Sequence, residues 1–368
     1  MGTPPSRERG PSGSGASERG LGIPARSERN HVIAPQAPRS GGKTVRAATI
    51  VEGELVWRDH PDPRPGTAEL LVAVRAAGIN GADPLQVKGL YPAPPGSPPD
   101  IPGLELAGEV IATGPATAHF SVGDRVMAIV GGGAQAELVV VHERVALPIP
   151  DGVDWASAGG FPEAFTTAHD ALFTQCRLRI GERVLVHGAA GGVGVAAASL
   201  AAAAGAEVVA TVRDEARRHD VEGLGPRIHA IPPDRFVDNG PFDVVLELVG
   251  APNLGDDVSA LATGGRIAVI GVGAGARTEL DLLALMAKRG RIHGSTLRNR
   301  PLEDKARAAR LVEREVLPLL ADGRVTVPVT ATYPLADATA AYERFSAGGK
   351  FGKIVLVAGE QAPPTMRS

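Results

Sequence analysis

The stretch VLVHGAAGGVGVAAASLAAAAGAEVVATVRD, residues 184–214, sets four glycines within seven residues between one valine-rich run and an alanine run leading to a second valine-rich run. Valine-rich segments of this length favour strands, and the alanine run favours a helix. In the strand–turn–helix context, Gly188 permits the tight turn. Gly191 and Gly192, with Ala189, Ala190 and Val193 around them, let backbone N–H groups approach a diphosphate, and Gly194 lets helix and strand pack closely. The helix N-terminus adds partial positive charge. The pattern predicts a dinucleotide-binding unit; the competing reading is a tight strand-to-helix turn without a ligand.

The second strand ends in Arg213-Asp214-Glu215, with Arg217 one turn on. An acid at this point usually receives a ribose 2′-hydroxyl, whereas arginines receive a 2′-phosphate. Arg213 and Arg217 form the expected fork and favour NADPH, NADH being the less favoured cofactor. Asp214 opposes that unless it serves as a helix N-cap.

Along the chain, residues 1–44 are rich in Gly, Pro, Ser and Arg and are expected to be a disordered extension; residues 359–368 read as a tail. From Val45, short strand-like runs punctuated by Gly and Pro suggest a small β-barrel or sandwich. After about Phe161 the texture alternates strand and helix: RVLVHG, the alanine helix, EVVATV, DVVLELVG, a helix near 253–262, RIAVIG, a helix near 279–289, and RIHGSTL. Such alternation implies a parallel sheet with crossover helices. One long helix is expected at 302–321, followed by the β-like pieces VTVPVTATYPL and GKIVLV. The expected division is 45–165 with 300–358 as one discontinuous β-rich domain around an inserted α/β domain, 166–299.

The bulk numbers exclude several classes. A chain of 368 residues with one cysteine, Cys176, can form neither an internal disulfide framework nor a multi-cysteine metal site. No apolar run reaches the roughly 20 residues of a membrane helix, and the start lacks a secretory signal's apolar core, so a cytoplasmic location is expected. Residues 1–44 carry a net +4, leaving −7 for the rest of a chain whose total is −3. A net-acidic body makes nucleic acid an improbable partner. The histidines show no metal spacing, His187 reads as a strand-end packing residue, and no paired carboxylates stand out.

The segments AAGINGADPLQVKGLYPAPPG, PGLELAGEV, GGFPEAFTTAHDAL, GAAGGVG, DVVLELVG, LMAKRGRIHGSTLRNRP and GKIVLV, in this order, resemble the zinc-independent quinone oxidoreductases of the medium-chain dehydrogenase/reductase superfamily. The LMAKRGRIHGSTLRNRPLEDKA segment resembles the p53-inducible quinone oxidoreductase subgroup. The resemblance spans about Val45–Val357. It implies an α/β fold with a GroES-like β-barrel catalytic domain around an inserted Rossmann domain, use of NADPH, and a homodimer or homotetramer. Zinc alcohol dehydrogenases of the superfamily carry a cysteine where Asn80 falls and a histidine where Leu104 falls, so no metal is expected.

By the same resemblance, Asn80 and Tyr91 line the acceptor site as catalytic candidates, with Asp83 nearby and more structural. Thr167 lies beside the nicotinamide; Gly250 and Gly271, with Val272 and Lys353, approach the cofactor. A family tyrosine near the adenosine phosphate is replaced by Pro233. The expected activity is NADPH-dependent hydride transfer to quinones or other activated carbonyls. The alternatives are an enoyl reductase acting on α,β-unsaturated carbonyls and a non-catalytic NADPH-binding sensor.

Overall fold

The computed structural model describes residues 44–359; the expected extension up to residue 43 and the tail from residue 360 lie outside it. Two sheets carry the architecture. The first has six strands, all parallel, in the spatial order Ile228–Ile231, Glu207–Thr211, Arg183–Val186, Phe242–Glu247, Leu261–Val269, Arg291–Gly294. In chain order that is third, second, first, fourth, fifth, sixth, the doubly wound arrangement that reverses beside the first strand and opens a crevice at the strand ends. The strand Ile228–Ile231 has no counterpart among the runs expected from sequence. It is a four-residue edge strand, too short to show a period.

The alanine run forms the helix Gly192–Ala203, and its composition has a packing cause. Ala196, Ala197, Ala198, Leu200 and Ala201 are all essentially buried, because the helix lies between the sheet and the helix Pro162–His169. A helix covered on both sides needs apolar residues all round, and small ones where a neighbour comes close. Phe161 and Phe165, stacked at 4.5 Å, anchor the second helix in the same core.

The second sheet takes strands from both flanks of the first. Val329–Pro334, Lys353–Val357, Glu69–Gly78, Glu105–Thr113, Arg125–Ile129 and Ala146–Pro148 lie in that order, and Leu138–His142 also pairs with Glu69–Gly78. A hairpin, Thr44–Val51 with Glu54–Pro61, turns at Glu52 and Gly53, both with positive φ as a two-residue turn of this hand requires. The single helix expected at 302–321 is two, Leu302–Glu315 and Leu317–Ala321. Pro318 explains the break: it has no N–H to donate and its ring crowds the carbonyl four residues back.

The sheets are joined where the site lies. Gly352 pairs with Gly191, and its N–H donates to the Ala190 carbonyl at 2.9 Å. Thus the approach to the last barrel strand is hydrogen-bonded to the glycine turn. Among the described residues no helix is long and apolar enough to cross a membrane.

Candidate functional site

Gly188 turns the chain out of the strand Arg183–Val186 with φ +61°, where other residues are strained. The first intrahelical bond of Gly192–Ala203 is made by Val195 to the Gly191 carbonyl, at 2.8 Å. The N–H groups of Gly192, Val193 and Gly194 therefore precede the helix ladder, and Gly191 supplies no side-chain cap. Gly194 has the packing role expected of it: a Cβ there would lie 2.5 Å from the Gly188 carbonyl and 2.6 Å from Ala189 Cα. Ala189 is fully buried beneath the turn.

A cleft of about 470 Å³ opens beside this turn, bordered by Gly188, Ala190, Gly191, Arg213 and Arg217 among the residues expected from sequence. At its far end Asp214 accepts from the Ala216 N–H at 3.1 Å, so its carboxylate does act as an N-cap. Arg217 is engaged, donating to Asp220 at 3.0 Å and to the Gly349 carbonyl at 3.3 Å. Arg213 has no ion pair among the described residues. Lys350 enters the same cleft from the second sheet's side, its Nζ 3.9 Å from the Phe345 ring centroid. Burial, with Lys353 and Arg344 nearby, lowers its affinity for a proton.

Below the cleft, Gly250 and Gly271 hold two loops together. A side chain on Gly250 would strike the Gly275 carbonyl, and one on Gly271 the Leu248 carbonyl. Val272 is half-exposed beside them. Thr167, Val193, Gly250, Gly271 and Val272 are not among the residues bordering the cleft.

A buried network underlies the cleft, and it corrects the expectation that His187 merely packs and that carboxylates are not paired. His187 Nε2 lies 2.8 Å from Asp257 Oδ1 and 3.9 Å from Glu247 Oε2, while Nδ1 contacts Thr211 Oγ1 at 3.1 Å. Glu247 in turn accepts from the N–H groups of Val249 and Gly250 and from Asn253 Nδ2. The network ties together three cleft-bordering segments. Residues 60 and 70 positions from His187 supply its carboxylates, and no local spacing in the sequence signals that.

A second polar cluster lies on the barrel side. Lys353 is almost wholly buried; its Nζ is 2.6 Å from Glu105 Oε1, 2.6 Å from Asn80 Oδ1 and 3.0 Å from the Ile79 carbonyl. Asn80 Nδ2 donates to Glu105 Oε1 at 2.9 Å, and the Glu163 N–H donates to Glu105 Oε2 at 2.8 Å. Asp83 receives the Asn80 and Gly103 N–H groups at 2.8 and 3.2 Å, a scaffold role; burial raises its pKa to about 6. Tyr91 meets Thr296 Oγ1 through its hydroxyl at 3.2 Å, and the Arg298 guanidinium stacks 5.0 Å from its ring centroid.

Residues 66–151 match the alcohol dehydrogenase GroES-like domain family and residues 205–356 the zinc-binding dehydrogenase family. The chain is 30% identical to the quinone oxidoreductase of Rattus norvegicus over 334 residues, covering 86% of this chain and 99% of that one. The chain belongs to the medium-chain dehydrogenase/reductase superfamily. The quinone oxidoreductase of Pseudomonas aeruginosa is also 30% identical, over 82% of this chain and 95% of its own. Among solved structures, an alcohol dehydrogenase superfamily protein from Novosphingobium aromaticivorans superposes with a TM-score of 0.78 at 28% identity, over 86% of this chain and 100% of that one. A stretch of the erythronolide synthase EryA2 of Saccharopolyspora erythraea is 36% identical over 78% of this chain, which covers 8% of that much longer protein.

As a member of this superfamily the chain is an NAD(P)H-dependent oxidoreductase, and its turn, uncapped helix start and adjoining cleft fit a nicotinamide dinucleotide. The residues around Asn80 do not fit zinc. A carboxamide, a leucine and a carboxylate already paired with a lysine ammonium offer neither sulfur nor imidazole, and Cys176 is buried elsewhere in the core. Sequence reasoning missed Glu105, Glu163, Glu247, Asn253, Asp257 and Lys350. Only GKFGK, with a lysine three residues before Lys353, held a local signal for any of these.

Proposed function

We propose that the chain is an NADPH-dependent reductase that transfers hydride to quinones or other activated carbonyls without zinc. The observation that carries the reading is the cleft itself. An uncapped glycine-rich helix start borders it, and so do Arg213 and Lys350, with Asp214 turned into a cap. The turn, from Gly188 through Ala189 and Ala190 to Gly194, holds the diphosphate, and Arg213, with Arg217 closing the wall, receives the 2′-phosphate. When bound, the reduced nicotinamide supplies hydride. Thr167, Gly250, Gly271 and Val272 shape its berth, and Lys353 braces the helix start, since its Cδ lies within 2.6 Å of where a Gly192 Cβ would stand.

Asn80 and Tyr91 orient the acceptor. With no Lewis acid in the donor set, the acceptor must already be electron-poor, which favours quinones and enones over simple ketones. The similarity to a polyketide synthase segment supports the enoyl reductase as second reading. A homodimer or homotetramer is part of the proposal, supported by Leu282, Leu283 and Met286, which are exposed on the helix Leu282–Lys288 that precedes the edge strand Arg291–Gly294. The test is steady-state oxidation of NADPH and NADH with a panel of ortho-quinones and enones. Turnover of quinones with NADPH at lower KM than NADH is the expected result; tight cofactor binding with no turnover on any acceptor would instead favour a sensor.

A further inference from the structure

Glu163 stands at the second position of the helix Pro162–His169, one turn before Thr167, so the two side chains share a helix face. Its backbone N–H is fixed to Glu105, the carboxylate that also holds Lys353 and Asn80. Its own Oε2 is buried and has no hydrogen-bond partner. A buried carboxyl oxygen without a protein partner is costly, and on a side chain that keeps some exposure a ligand atom that accepts its proton relieves that cost. The orphan group thus shares a helix face with the expected nicotinamide threonine and is tied through Glu105 to the expected acceptor asparagine.

We propose that Glu163 is the general acid of the reduction, delivering the proton that follows hydride. The inference rests on the reductase reading. In the step, a quinone takes a hydride from the reduced nicotinamide, which is left oxidised, and becomes a hydroquinone monoanion. The carboxyl O–H of Glu163 breaks as the hydroquinone O–H forms, and water later returns a proton to the carboxylate. Each charged group facing Glu163 suits the cycle. Burial and the neighbouring carboxyls of Glu105 and Asp83 keep it protonated, its pKa pushed up to about 8. Lys353 and Lys305, with Arg298 beyond, receive the carboxylate once the proton has left.

The test pairs a direct titration with kinetics on the full-length enzyme. The carbon-13 signal of the Glu163 carboxyl, assigned by its loss in Glu163→Gln, is expected to titrate near 8. The wild-type kcat with an ortho-quinone should be level below that pH and fall above it. Glu163→Gln should lose about 10²-fold or more in kcat, the usual worth of a positioned acid. It should also lose the alkaline break and keep its Kd for NADPH. Glu163→Asp should recover part of the rate with a shifted break, and it carries the test if the glutamine variant does not fold. Wild-type turnover with Glu163→Gln equally fast, or the break retained, overturns the general acid alone. No turnover of any acceptor by the wild type removes the reductase reading and the acid with it.

Discussion

Lys353→Met isolates the buried ion pair that ties two strands of the second sheet together. The methionine keeps most of the aliphatic stem, which packs against Gly160 and the helix start at Gly192, and removes only the ammonium. Glu105 is then a fully buried carboxylate with two donors left, Asn80 Nδ2 and the Glu163 N–H. Removing one partner of a buried pair costs about 3–5 kcal/mol, far more than the pair is worth against apolar substitutes. At about 2 °C per kcal/mol for a large chain, the melting temperature should fall by roughly 6–10 °C. Differential scanning calorimetry of the cofactor-free protein measures it. Adding Glu105→Gln should restore much of the stability, giving a coupling of about 2 kcal/mol or more in a double-mutant cycle. A loss below about 1 kcal/mol, or additive single effects, would show that Lys353 is not held as the distances require.

Three further outcomes follow from the same geometry. Arg213→Asp should raise the KM for NADPH roughly 10–100-fold and hardly change that for NADH, the worth of one charge-assisted contact; equal effects on both would remove the 2′-phosphate assignment. Gly194→Ala should cost about 1–3 kcal/mol and weaken cofactor binding, because the new methyl meets backbone atoms that cannot swing aside; unchanged calorimetry and Kd would contradict it. Folded Glu163 keeps its proton up to about 8 whereas the unfolded chain releases it near 4.5. The folded form is therefore favoured at low pH and loses that advantage as pH rises through this window, so Glu163→Gln should flatten the decline in melting temperature between pH 5 and 8. An unchanged slope would count against the buried, protonated carboxyl.

What the sequence disclosed and what it hid have physical causes. The parallel sheet and the glycine turn were legible because periodicity and turn chemistry are local: valine runs, an alanine helix, glycines where side chains would collide. The edge strand Ile228–Ile231 was hidden by its brevity, and the break at Pro318 lay under an otherwise helical stretch. Site residues divided in the same way. Arg213 and Asp214 could be read together because a strand end places them side by side, and Asp214 is indeed a cap. Lys353 is more deeply engaged than a cofactor contact requires. Its partners Asn80 and Glu105 lie 273 and 248 residues away in the chain, and only the barrel's antiparallel closure brings them together. The His187–Glu247–Asp257 network was invisible for the same reason, since each member comes from a different strand end or helix.

The central claim is that the turn from Gly188 to Gly194 grips a diphosphate while Arg213 reads the far end of the cofactor. A crystal structure of the protein with NADPH tests both halves at once. The account predicts diphosphate oxygens within hydrogen-bonding distance of the N–H groups at the start of the helix Gly192–Ala203, and the 2′-phosphate at Arg213. Density for the cofactor anywhere else, or a diphosphate standing away from that helix start, would contradict it.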